Sequence, residues 1–171
     1  MTLNEWIVKA DNSQLEFIKK YDKGIALIED ITILSFINIK KVIPSLIDEG
    51  KYDEAISIVL NENVNSTLKR KELDRFRILI WIQKQYENIN RIEKQYLERP
   101  PDFKLIASGI KNLDVLGIKN TIDMLALGDV TKWEEIENLP YSICFEKQYK
   151  LAIESDIQKK LIEHNKNDRK K

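Results

Sequence analysis

Cys144 is the only thiol in the chain and His164 the only imidazole, so a thiol nucleophile activated by histidine would have to join these two. They fall near opposite ends of one predicted helix, about five turns apart, and side chains that far apart along a helix cannot meet. A buried structural thiol and an exposed tail histidine are the expectation. Carboxylates crowd at Asp129, Glu134, Glu135 and Glu137. A divalent ion needs several oxygens converging from a loop or from facing helices, and the Asp, Asn and Gly pattern of an EF-hand is absent; solvated first-turn charges account for these acids. No Gly-rich phosphate loop is present. These residues predict no catalytic set, no metal site, no cofactor and no enzyme.

Two other groups of side chains could act by binding. Lys69, Arg70, Lys71, Arg75 and Arg77 bunch against Glu72 and Asp74 at the start of the longest predicted helix. Cations there oppose the helix dipole, which makes them candidates for anion binding. A solvated face is the plainer reading, because phosphate-binding surfaces usually add stacking aromatics or a readable motif. The chain's 28 basic and 28 acidic residues cancel, which argues against nucleic acid as a dedicated partner. Trp6, Trp81 and Trp133 lie on separate predicted helices, where each suits a core. Any left exposed would mark a contact surface, since Trp is a favoured interface anchor. The candidate partner-binding residues are Trp81, Tyr86, Ile89, Tyr96, Trp133 and Tyr141.

The spacing that positions these groups is helical. From Ser66 to Glu98 the chain has neither Gly nor Pro, and Leu73, Phe76, Leu79, Ile80, Tyr86, Ile89, Ile92 and Tyr96 recur at three- and four-residue steps. Ser66 or Thr67 suits the N-cap, and Pro100-Pro101 stops the helix. At 1.5 Å per residue it would be roughly 45 to 50 Å long, so other helices must wrap it or it must project. Glu72, Arg75, Lys84, Glu87, Arg91, Lys94 and Glu98 take the opposite face.

Around it the remaining segments read as shorter helices. Thr2 and Glu5 form a capping box ahead of Trp6, Ile7 and Ala10, and Ser13 caps a second helix that ends near Gly24. Residues 25–39 carry β-branched runs without a second strand to pair with, so helix with a break is expected. Pro44 suits a first helical turn and Gly50 a left-handed C-cap, giving an αα-hairpin through Leu60. Gly50, Tyr52 and Ala55 are similar to the turn of a tetratricopeptide repeat, but no second copy follows at the expected period. Past Pro101, Asp102 is expected to open a helix bearing Phe103, Leu105, Ile106, Ile110 and Leu113 and closed by Gly117. Asn120 then caps Thr121 to Leu127, Thr131 and Glu134 form a second capping box around Trp133 and Ile136, and a final helix runs from Tyr141 to Glu163. Residues 164–171 are expected to fray.

These readings predict an all-α protein, a multi-helix bundle with one long central helix. Its regions are 1–65, 66–99, 100–163 and a basic tail at 164–171. A charged fraction of 33%, with only 5 Gly and 4 Pro, fits helices on short connections. One cysteine excludes an internal disulfide. No basic-then-apolar leader is read at the N-terminus, and no apolar run reaches the roughly 18 residues of a membrane span, so no membrane partner is expected.

From Ile106 onward one further pattern stands out. Gly128-Asp129 is followed by Trp133-Glu134 and then Leu139-Pro140-Tyr141, and this order resembles small accessory proteins of tailed bacteriophages, namely tail-assembly-chaperone-like and minor structural proteins. The resemblance covers about a third of the chain. It implies a non-enzymatic protein that binds other phage structural proteins, or itself as a homo-oligomer, either as a tail assembly chaperone or as a ring or head-tail connector component. It also implies a place in the bacterial host cytoplasm during assembly, or in the virion. The alternative class is a small helical nucleic-acid-binding regulator using Lys69, Arg70, Lys71, Arg75 and Arg77.

Overall fold

A short 3-10 turn at Ile31–Ile33 buries Ile31 and delivers the chain to Ser35, which bridges to Pro140. Phe36 N–H donates to the Leu139 carbonyl at 2.7 Å, and Tyr141 N–H donates to the Leu34 carbonyl at 2.8 Å. These bonds tie the start of the first long helical run to the start of the last one. The computed structural model describes residues 31–100 and 103–168; the expectations for Thr2, Glu5, Trp6, Ser13 and their neighbours fall outside them. Among the described residues the fold is all-α, with eight α-helices and no strand.

Helical backbone runs without a break from Phe36 to Asp48, through a π-turn at Asn38–Val42 into α1, Ile43–Asp48. Pro44 is the second residue of α1, in its first turn as expected, with the π-turn running directly into it. Its ring would clash with the preceding turn of a regular α-helix, and the wider π-turn just before it relieves that crowding. Gly50 follows with φ of 70°, and Lys51 N–H closes the turn onto the Leu46 carbonyl at 2.7 Å. α2, Tyr52–Leu60, returns antiparallel and buries Ala55, Ile56 and Val59.

The long helix does not begin at Ser66. Asn63, rather than Ser66 or Thr67, caps a short α3, Val64–Leu68, by accepting from Ser66 N–H at 2.9 Å. Lys71 is extended, and the central helix α4 spans Glu72–Tyr96. Glu62 gives the physical reason. It accepts from the Thr67 hydroxyl at 2.9 Å and from Arg70 Nε and Nη2 at 3.0 Å each, which folds α3 back upon α2. α4 keeps 25 residues, about 37 Å, and ends at Leu97, before Pro100. Its buried stripe is Phe76, Ile78, Ile82 and Ile89.

Beyond α4 the expected single helix to Gly117 is broken. α5, Phe103–Ala107, stops at Gly109, whose φ is 85°, and Ile110–Leu116 continue as a 3-10 turn that buries none of its residues. Gly117, not Asn120, precedes α6, Ile118–Leu125. Leu127 and Gly128 both adopt left-handed backbone, so that helix ends before Leu127. Asp129 accepts from Thr131 N–H at 3.0 Å, taking the capping role expected of Thr131 ahead of α7, Trp133–Asn138. Pro140 then launches α8, Tyr141–Asp168. The backbone expected to fray from His164 is helical as far as Asp168.

Candidate interaction surface

α8 is anchored over its first half. Phe36, Tyr141, Phe145 and Tyr149 form a chain of stacked rings with centroids 6.2 to 6.5 Å apart, and Tyr96 closes it edge-on to Tyr149 at 5.3 Å. Tyr141, Phe145 and Tyr149 fall at four-residue steps, so one face of α8 delivers all three rings to α4. Glu93 sits at the centre of the polar contacts. It takes the Tyr141 hydroxyl at 2.5 Å and Lys40 Nζ at 2.8 and 2.7 Å. Burial, reinforced by the bond to Glu93, pushes the Tyr141 phenol far above its usual range. Arg99 Nε reaches Asp156 at 2.8 Å, and Lys147 Nζ donates to the Leu125 carbonyl. Among the described side chains, Asp156 carries the last hydrogen bond to another element along α8.

Past that point the helix carries unmatched apolar groups. Ile157, Leu161 and Ile162 are all exposed, Ile157 by 51% and Leu161 by 52%. The segment after α4 is similar: Phe103 is 79% exposed and Val115 87%, with Ile110, Leu113 and Leu116 also out in solvent. Scattered exposed apolar residues are normal, but a contiguous set marks a contact surface.

A second feature lies between α1, α2 and α4. Pro44, Ile47 and Asp48, with Tyr52, Leu79, Gln83 and Tyr86, line a groove of about 350 Å³. A neighbouring hollow of about 270 Å³ shares Pro44 and Tyr86 and adds Ile39, Lys40, Ile89 and Asn90. The lining of the larger groove is predominantly apolar.

The residues singled out from sequence are dispersed by the fold. Ile89 and Tyr141 are buried. Trp81 and Trp133 are half-buried against the core, and Trp133 Nε1 donates to Asp123 at 3.3 Å. Tyr86 donates to the Ile39 carbonyl at 2.8 Å. Tyr96 is partly exposed but stacked on Tyr149. The five cations do not form one patch. Arg75 is 0% exposed and meets Asp53 at 2.7 Å, Arg70 is held by Glu62, and Arg77 lies 3.6 Å from Asp74. Lys69 and Lys71 remain at the surface. The Arg70 guanidinium holds the Glu62 carboxyl below its usual range. Asp53, Glu62 and Glu93, which do most of this organising, carry no periodicity signal, and Arg75, expected on the charged face opposite the stripe, is enclosed instead because Asp53 pairs with it in the interior.

Comparison with protein-family models, with curated proteins and with solved structures returns no match for this chain. Among the described residues no group of three or more His, Cys, Asp and Glu could hold a metal ion. No helix there is long and apolar enough to cross a membrane. Cys144 is buried against the Ile136 carbonyl, and burial raises its thiol pKa to about 11. A neutral, enclosed thiol is a poor nucleophile.

Proposed function

We propose that this protein is a non-enzymatic assembly component that works through helix-mediated contacts with other polypeptides, in the bacteriophage setting that the Gly128–Tyr141 pattern implies. It acts either as a tail assembly chaperone or as a ring or connector component, in the host cytoplasm or the particle. The observation that carries this reading is the exposed apolar set on 103–116 and on α8 beyond Asp156. Phe103, Val115, Ile157 and Leu161 replace the aromatic set expected from sequence as the contact residues. Exposed apolar side chains of this kind gain free energy by leaving water, at about 25 cal/mol per Å² buried.

Size-exclusion chromatography with light scattering, run alone and with individual phage tail and connector proteins, tests the reading. A defined oligomer or a stoichiometric complex is expected. A chain that stays monomeric at high concentration and binds none of those proteins overturns it. The nucleic-acid alternative has Arg70 and Arg75 committed to internal acids; salt-dependent retention on DNA would revive it.

A further inference from the structure

The groove between α1 and α4 presents a carboxylate in an unfavourable place. Asp48 is the last residue of α1, is exposed, and lines the groove. The carbonyl end of a helix repels negative charge, and Asp48 makes no ion pair among the described residues. Its helix extends unbroken from Phe36, long enough for that field to be felt. A cation arriving there would relieve the repulsion. The apolar lining, with Pro44, Ile47 and Leu79, would accept aliphatic side chains carried beside that cation.

This chain carries a segment of that description. On distal α8, Ile157, Lys160, Leu161 and His164 fall at positions i, i+3, i+4 and i+7, which puts them on one face, the spacing by which helices anchor in grooves. Ile157 and Leu161 are half exposed and Lys160 is exposed. Lys159 and Lys160 make no ion pair among the described residues. The chain's formal net charge of zero adds no long-range repulsion between copies.

We propose that distal α8 of one molecule docks in the α1–α4 groove of a second copy, with Ile157 and Leu161 on the apolar lining and Lys160 against Asp48. The two surfaces are different, so the contact is head-to-tail. Reciprocal exchange closes it as a dimer, and any other rotation builds a ring or a filament. This proposal rests on the assembly reading and names one partner for it.

Sedimentation velocity on the full chain over a wide concentration range tests the pairing through charge reversal. Asp48→Lys and Lys160→Glu alone should each weaken self-association at least tenfold, and the two combined should recover most of it. Ile157→Asp should abolish it, with circular dichroism unchanged because Ile157 is exposed. A wild-type chain that is monomeric throughout overturns the proposal, as does an Asp48→Lys variant that associates like wild type or a double variant that recovers nothing. If the groove serves a different protein, Asp48→Lys leaves self-association untouched and breaks the other complex. That result sinks this inference and leaves the assembly reading standing.

Discussion

The Tyr86 hydroxyl donates to the Ile39 carbonyl oxygen at 2.8 Å, across from α4 to the π-turn. In that turn Ile43 N–H bonds to the Asn38 carbonyl, five residues back. The next carbonyl in the series, Ile39, would look to residue 44, which is Pro44 and has no N–H to give. Tyr86 therefore supplies a donor that the sequence of the turn omits. A buried carbonyl left without one costs about 1 to 3 kcal/mol. The same burial pushes the Tyr86 phenol well above its usual range.

Replacing Tyr86 by Phe should lower the unfolding free energy by about 1 to 3 kcal/mol. In a Pro44→Ala background the turn regains an N–H, so the same change should cost markedly less. Urea unfolding of the four proteins in that cycle measures the coupling. An equal loss in both backgrounds would mean the hydroxyl does not stand in for the missing donor.

Arg75 and Asp53 form the most deeply buried ion pair among the described residues, 2.7 Å apart with Arg75 wholly enclosed. Glu72 lies further off, 3.7 Å away and partly exposed. Removing Asp53 takes the nearest counter-charge from a buried guanidinium, and breaking a buried pair in this way typically costs about 3 to 5 kcal/mol. Asp53→Ala should therefore unfold at much lower denaturant than wild type, whereas Asp74→Ala, breaking the exposed Arg77 pair, should change stability by less than about 1 kcal/mol. Equal effects of the two variants would show that Arg75 finds solvent or another acid.

Helix periodicity and turn residues make the all-α class, the α1–α2 hairpin and most of α4 legible in the sequence. They could not place the break at Lys71, because Val64–Leu68 and Glu72–Tyr96 are both good helix and only the side chains of Glu62, Thr67 and Arg70 decide where the chain turns. The same limit hid the exposure of residues 103–116. Phe103, Ile110 and Leu113 have helical spacing, and spacing predicts a buried face only when some other element is there to cover it. The groove was invisible for a related reason: Asp48 and Leu79 come together through tertiary packing, and neither belongs to a local motif. Tyr141 suits a contact residue by type, yet the Phe36 and Phe145 rings and Glu93 draw it inward.

Alkaline pH should destabilise the fold in a definite window. Burial raises the Cys144 thiol from an ordinary 9.0 to about 11, so the folded state keeps a proton that the unfolded chain gives up first. Its contribution is complete below pH 9, shrinks as pH climbs, and is gone above about 11. The Tyr86 and Tyr141 phenols shift upward as well and extend the decline to still higher pH. Unfolding free energy measured from pH 8 to pH 11 should fall for wild type and fall less steeply over that window for Cys144→Ala. Parallel curves for the two proteins would rule out the thiol as a source of the decline.

Val115 offers the cleanest separation of binding from folding. It is 87% exposed and sits in the 3-10 turn that buries none of its own residues, so a charge there removes no core contact. Val115→Asp should alter the unfolding midpoint by no more than an exposed substitution usually does, within about 0.5 kcal/mol. The same change places a charge near the end of the exposed 103–116 segment, and a desolvated, unpaired carboxylate is costly at any interface. Complex formation measured by light scattering should therefore weaken at least tenfold while urea unfolding stays unchanged. If assembly is untouched, the 103–116 segment is not part of the contact and distal α8 alone must carry it. If stability collapses instead, Val115 is packed within the folded chain in solution and the segment is no free surface.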